Sequence, residues 1–135
     1  MTQEDKELLL KDISGRLPYN QIIQISLFRD DGRKRDIDLD PRVTENIWEL
    51  IDKYCTLPYL RSMSSMTGVE VLEYISLKES IVASDGITYY FETYKSIDWL
   101  NSHHFDYRGL IERGLALEAP DDMYNLNEKY YDIIV

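Results

Sequence analysis

Apolar residues recur at two spacings along this chain, and the places where the spacing changes mark its elements. Near the start, Leu8, Leu9 and Ile13 share one side of a predicted helix that Thr2 can cap, with Glu4 and Asp5 at its positive end and Gly15 and Pro18 as stop signals. The period then drops to two. Ile23, Ile25 and Leu27 alternate with Gln24 and Ser26, and Ile37 and Leu39 alternate with Asp36, Asp38 and Asp40, which predicts two half-buried strands around Asp30-Asp31-Gly32. A two-residue Asp31-Gly32 loop would set Ile25 against Asp38. A three-residue loop instead sets Ile25 against Ile37 and Ile23 against Leu39, with Gly32 in the left-handed conformation, and this register is the one predicted. It gathers Gln24, Ser26, Asp36 and Asp38 on an outer, solvated face.

Helical spacing returns at Val43, Ile47, Leu50, Ile51 and Tyr54, behind Asp40 as cap and Pro41 as a first-turn residue. This predicts about three turns ending near Cys55, because Pro58 disfavours helical geometry at Leu57. Residues 57–66 are expected as an ordered loop. Thr67 and Glu70 then form a capping-box pattern for a short helix through about Ile75, with Val69, Leu72 and Ile75 facing inward. Residues 80–83 and 87–91 flank Asp85-Gly86 as a second hairpin; Tyr89 and Phe91 share one face, Tyr90 takes the other, and one set is expected to pack inward. Ser96 is placed as the cap of a further helical unit carrying Trp99, Leu100, His103, Tyr107, Leu110, Ile111 and Leu115, which Gly109 can split into two helices and Gly114 ends. The segment 120–135 either packs as a last strand or forms a mobile tail. These elements predict one globular α+β domain over residues 1–135, with small antiparallel hairpins or one mixed sheet packed with three to four helices.

Composition changes this picture in three ways. Eleven tyrosines, two tryptophans and three phenylalanines in 135 residues predict an aromatic-rich core. The net charge of −10 is uneven: residues 1–62 carry 10 basic and 12 acidic side chains, and residues 63–135 carry 5 and 13. Such a field repels phosphate backbones, so direct duplex nucleic-acid binding is disfavoured; the plain reading is a solvated acidic surface, and the sharper one a protein partner with a basic surface. One cysteine, Cys55, excludes an intrachain disulfide, and no apolar run reaches the length of a membrane span, so a cytoplasmic protein without membrane attachment is expected.

Candidate chemistry concentrates in Asp98-Trp99-Leu100-Asn101-Ser102-His103-His104-Phe105-Asp106-Tyr107-Arg108, which holds both histidines. Neighbours on a helix point about 100° apart, so His103 and His104 do not readily face one metal ion, and no second cluster of His or Cys completes a ligand set. Cys55 lacks the flanking pattern of a catalytic thiol and reads as a small packing residue at a helix end, and Ser64 and Ser65 lack a glycine-framed nucleophile turn. Asp36, Asp38 and Asp40 have the spacing of a calcium loop, but Pro41 and Ile47 stand where it needs glycine and glutamate. The six glycines form no phosphate-binding loop, and no cofactor is implied. Arg29, Arg33, Lys34 and Arg35 make a basic hairpin tip balanced by neighbouring aspartates.

The stretches Tyr59-Leu60-Arg61-Ser62-Met63-Ser64-Ser65-Met66-Thr67 and 98–120, together with Glu4-Asp5-Lys6-Glu7 and Arg16-Leu17-Pro18-Tyr19, resemble a set of small uncharacterised proteins of gut Bacteroidetes and their prophages. Ser62 stands where that set usually has proline. The resemblance implies a bacterial or phage cytosol and an accessory protein that binds a host or phage component. The leading expectation is therefore a non-enzymatic protein-binding factor using Trp99, His103, His104, Asp106, Tyr107 and Arg108 as its surface. The alternative is a metal-dependent enzyme, or one acting on nucleotides or nucleic acid, built on His103, His104 and Asp106.

Overall fold

A computed structural model describes residues 1–44 and 46–124. The fold is α+β, and the described residues form four α-helices, a four-stranded mixed sheet and a separate two-stranded hairpin. Helix α1 spans Gln3–Gly15; Thr2 caps it by accepting from the Asp5 amide while the Asp5 carboxylate accepts from the Thr2 amide. Strands β1 (Ile23–Phe28) and β2 (Lys34–Leu39) pair antiparallel with Ile25 opposite Ile37 and Ile23 opposite Leu39. Gly32 sits at φ +83°, as the three-residue loop requires.

Of the stretch expected as a loop, residues 57–60 instead belong to strand β3, Cys55–Leu60, while residues 62–66 stay outside any strand; β3 lies inside the sheet, whose order is β2-β1-β3-β6 with β6 at Leu117–Glu118. Pro58 is tolerated there for a geometric reason. Tyr59 donates its amide to the Ile22 carbonyl, so by alternation the Pro58 nitrogen faces the opposite side, where β6 (Leu117–Glu118) begins to pair only at Tyr59. Ile23 opposes Pro58 and Ile25 opposes Thr56, placing one row of apolar side chains under α1 and α2.

The helix expected over three turns from Asp40 is shorter. Pro41–Val43 form one 3-10 turn capped by Asp40, and α2 runs only from Ile47 to Lys53 behind a second cap, Asn46, which leaves Val43 exposed. Helix α3, Gly68–Leu77, has the predicted Thr67–Glu70 box but presents Tyr74 to the interior, while Val69, Leu72 and Ile75 are exposed. Helix α4 spans Tyr94–Ser102 with Thr93, not Ser96, as its cap. No second helix follows among the described residues; residues 103–114 form turns in which His104, Gly109 and Gly114 all take positive φ.

The main core is aliphatic rather than aromatic: Leu9, Ile13, Ile23, Ile25, Ile51, Leu60, Leu110, Leu115 and Ala116. A smaller cluster of Tyr74, Leu100 and Phe105 joins α3 to α4. On the outer face of the sheet, Ser26 is buried and gives its hydroxyl proton to Asp36, so that face is less solvated than its polar residues suggest. Cys55 is exposed on β3 rather than packed. Of the segment 120–135, the residues to Tyr124 are described and Tyr124 is buried; Tyr130, Tyr131 and the last three residues lie outside the described residues.

Candidate functional site

The histidine segment is held together by the way α4 ends. His103, Phe105 and His104 return their amides to Trp99, Leu100 and Asn101, and His104 takes φ +62° to close this turn. That single left-handed residue sends the two imidazoles apart. The His103 ring lies over Trp99 at 4.0 Å, with its Nδ1 2.9 Å from the Trp99 carbonyl. The His104 ring points inward and stacks on Tyr124 at 3.7 Å. Burial, with Arg16, His103 and Arg61 nearby, holds His104 down to about 3, so it is neutral at physiological pH. Its Nδ1 is buried without a hydrogen-bond partner among the described residues.

Asp106 is similarly committed. Its carboxylate accepts the amides of Leu110 at 2.8 Å and Ile111 at 2.9 Å, fastening the turn that carries Leu110 into the core. Its own amide donates to Arg61, whose amide donates to His104, so residues 104–106 pair with Arg61 at the end of β3. The Arg61 guanidinium lies 4.2 Å from the Phe105 ring and makes two 2.8 Å bonds to Glu70.

Sequence reasoning missed the electrostatic centre of this region. Asp12 and Arg16, one turn apart at the end of α1, are both fully buried, and Arg16 also donates to the Phe105 carbonyl at 2.6 Å and the Leu100 carbonyl at 3.5 Å. Arg108 reaches the same Asp12 carboxylate at 2.6 Å, and its guanidinium sits 4.5 Å from the Tyr107 ring. Tyr107 in turn donates to Asn101. The Asp12/Arg16 spacing of four, at a helix end where carbonyls need donors, was the available signal. Thus His104 and Asp106 are buried, whereas Trp99, His103, Tyr107 and Arg108 are half-buried and occupied by intramolecular contacts.

Chemically, this arrangement joins elements. Among the described residues no three His, Cys, Asp or Glu side chains are grouped to hold a metal ion. A depression of about 210 Å³ between Arg61, Ser65, Thr67, Pro120 and Tyr124 is smaller than the roughly 300–1,000 Å³ of ordinary ligand pockets, and neither histidine lines it. A more open depression of about 460 Å³ beside Leu10, Leu17, Pro41, Ile47 and Trp48 has no histidine or carboxylate in its lining among the described residues. Among the described residues, no helix is long and apolar enough to cross a membrane.

The unusual surface lies elsewhere. Strands β4 (Glu79–Val82) and β5 (Thr88–Phe91) form a hairpin that joins α3 to α4 and pairs with neither edge of the main sheet. Its base is tied down: Thr93 donates to the Leu77 carbonyl, Lys78 pairs with Glu92 at 3.3 Å, and Tyr74 and Ser96 donate to the same carboxylate. Beyond that base Ile81, Val82, Ile87, Tyr89, Tyr90 and Phe91 are all exposed. Alternation should bury one face of such a hairpin. Here Ile81 and Tyr89 on one face and Val82 and Tyr90 on the other both meet solvent, next in sequence to the exposed Val69, Leu72 and Ile75 of α3. No protein-family model, curated protein or solved structure matches the chain.

Proposed function

We propose that this protein is a non-enzymatic, protein-binding accessory factor whose docking unit is the α3–β4–β5 projection. The observation that carries this reading is the hairpin's exposure of large apolar side chains on both faces. Monomeric proteins rarely leave such surface uncovered, and contiguous apolar patches rimmed by polar residues mark interaction sites. The acidic surface favours partners with basic rims. The histidine segment serves by holding α4, α1 and β3 together beneath this unit.

The test is capture by the immobilised full chain, from a bacterial lysate, compared with Leu72→Glu and Tyr90→Glu variants whose circular dichroism matches the parent. A partner retained by the parent and lost in the variants supports the reading. Identical capture by parent and variants would place binding elsewhere and overturn it.

A further inference from the structure

The two faces of the hairpin differ once its residues are sorted by pairing. Glu79 opposes Phe91, Ile81 opposes Tyr89, and Ala83 donates to the Ile87 carbonyl, so alternation puts these six residues on one face. The other face, with Ser80, Val82, Thr88 and Tyr90, is half polar. Ile81, Ile87, Tyr89 and Phe91 are 47–57% exposed, so the apolar face lies open to solvent. A two-stranded hairpin is marginal in water until further strands join it or a helix packs on it. A third strand would bond to an edge and leave this face wet, whereas a helix laid across the strands buries it.

Charge decides what kind of helix fits. Residues 68–94 carry five carboxylates and one cation, Lys78, which is held by Glu92 at 3.3 Å and lies 4.6 Å from the Tyr74 ring. No Lys, Arg or His occurs in residues 79–91. Glu79 stands at the base of the apolar face, opposite Phe91, and Asp85 stands in the turn beyond Ile87. The face is therefore apolar in the middle and negative at both ends, within a chain of net charge −10. A second copy of the chain fits poorly, because its own exposed helical stripe, Val69, Leu72 and Ile75, shares α3 with Glu70 and Glu73.

We propose that the face formed by Ile81, Ile87, Tyr89 and Phe91 binds an amphipathic helix with basic flanks, contributed by a different protein. This rests on reading the α3–β4–β5 projection as a docking unit, and it names what covers one face of that unit. Strands of four to five residues span about 13–17 Å, the rise of roughly three helical turns. Such a helix meets the face with apolar residues three and four positions apart, and its Lys or Arg residues on either side reach Glu79 and Asp85. The four side chains offer on the order of 400 Å², about half of the ~800 Å² that each partner buries in a standard interface. The helix alone is thus a weak ligand, and Leu72 and Tyr90 remain for the rest of the partner.

The probe is a synthetic peptide with leucine at that spacing and lysine elsewhere, titrated against the full chain at low salt. Binding is expected, with the Ile81 and Ile87 methyl resonances shifting and the peptide gaining helical circular dichroism. Ile81→Thr, which keeps β-propensity, should raise the dissociation constant about 10-fold. Val82→Thr, on the opposite face, should leave it unchanged. Glu79→Lys should weaken binding about 5-fold at low salt and little at high salt. Adhesion to acidity alone would appear as binding that Ile81→Thr does not change, and it overturns the proposal. So does no binding, or equal binding of a peptide with glutamate in place of lysine. In the unmutated protein, methyl shifts confined to other surfaces overturn it without any variant. If the peptide fails but lysate capture still depends on Leu72 and Tyr90, the docking unit stands and only its occupant was misassigned.

Discussion

Asp12 and Arg16 form an ion pair at 3.0 Å with both side chains wholly removed from solvent, at the point where α1 meets the end of α4. Removing one member leaves the other charge buried, a loss of about 3–5 kcal/mol against a total stability of roughly 5–15 kcal/mol. Arg16→Met is expected to lower the urea midpoint steeply and Asp12→Asn nearly as much. Arg108→Met should cost less, because that side chain retains access to water.

His104 ties stability to pH. Its folded value of about 3 lies below the ordinary 6.5 because burial penalises the imidazolium, with Arg16 and other cations adding to the effect. Between those values the unfolded chain binds the proton that the native state refuses. The stabilisation is thus complete above pH 6.5 and is lost as pH falls towards 3, by up to ~1.4 kcal/mol per unit. Subtracting the pH–stability curve of His104→Asn, which tolerates positive φ, from that of the parent should isolate this slope. A difference that stays flat across the window would show that the ring is not held neutral.

Gly109 tests backbone against packing. It takes φ +72°, and a Cβ built there meets nothing within 4 Å. Gly109→Ala and Gly109→Leu should therefore cost similar amounts, ~1–2 kcal/mol from left-handed strain, with Gly109→Asn milder. Thermal unfolding would reveal a packing role if leucine were far worse than alanine.

Tyr124 anchors the end of the described chain to the sheet. Its hydroxyl donates to the Tyr59 carbonyl at 2.7 Å and accepts from the Ile22 amide at 3.3 Å, and burial pushes the phenol up to about 12. Tyr124→Phe strips both backbone groups of this partner while keeping the stack on His104, so a loss of ~1–3 kcal/mol is expected in denaturant titrations. Near-ultraviolet circular dichroism should otherwise be preserved.

Elements with strong local signals were legible in advance. Thr2 and Thr67 cap the helices predicted for them, and the Ile25–Ile37 register follows from matching apolar parity with the left-handed freedom of Gly32. The candidate site was legible only as a segment. Helical spacing warned that His103 and His104 would diverge, but it did not foresee that His104 itself would break the helix, because positive φ is uncommon in a residue with a Cβ. Arg61 and Tyr124 lie 43 and 20 positions from His104, beyond the range of any local pattern.

By itself, then, the sequence determined the elements whose physics closes within a few residues: caps, turns, strand parity and the α+β class. Tertiary structure decided which faces those elements bury. Val69, Leu72 and Ile75 have helical spacing, yet Tyr74 takes the inward place because its ring stacks on Trp99 and its hydroxyl reaches Glu92. Residues 57–60 look like the start of a loop until β1 and β6 supply partners for a strand containing proline. Burial is a relation between distant segments, so the exposure of the hairpin and the burial of the Asp12–Arg16 pair, whose spacing of four the sequence does show, were decided only once the chain had folded.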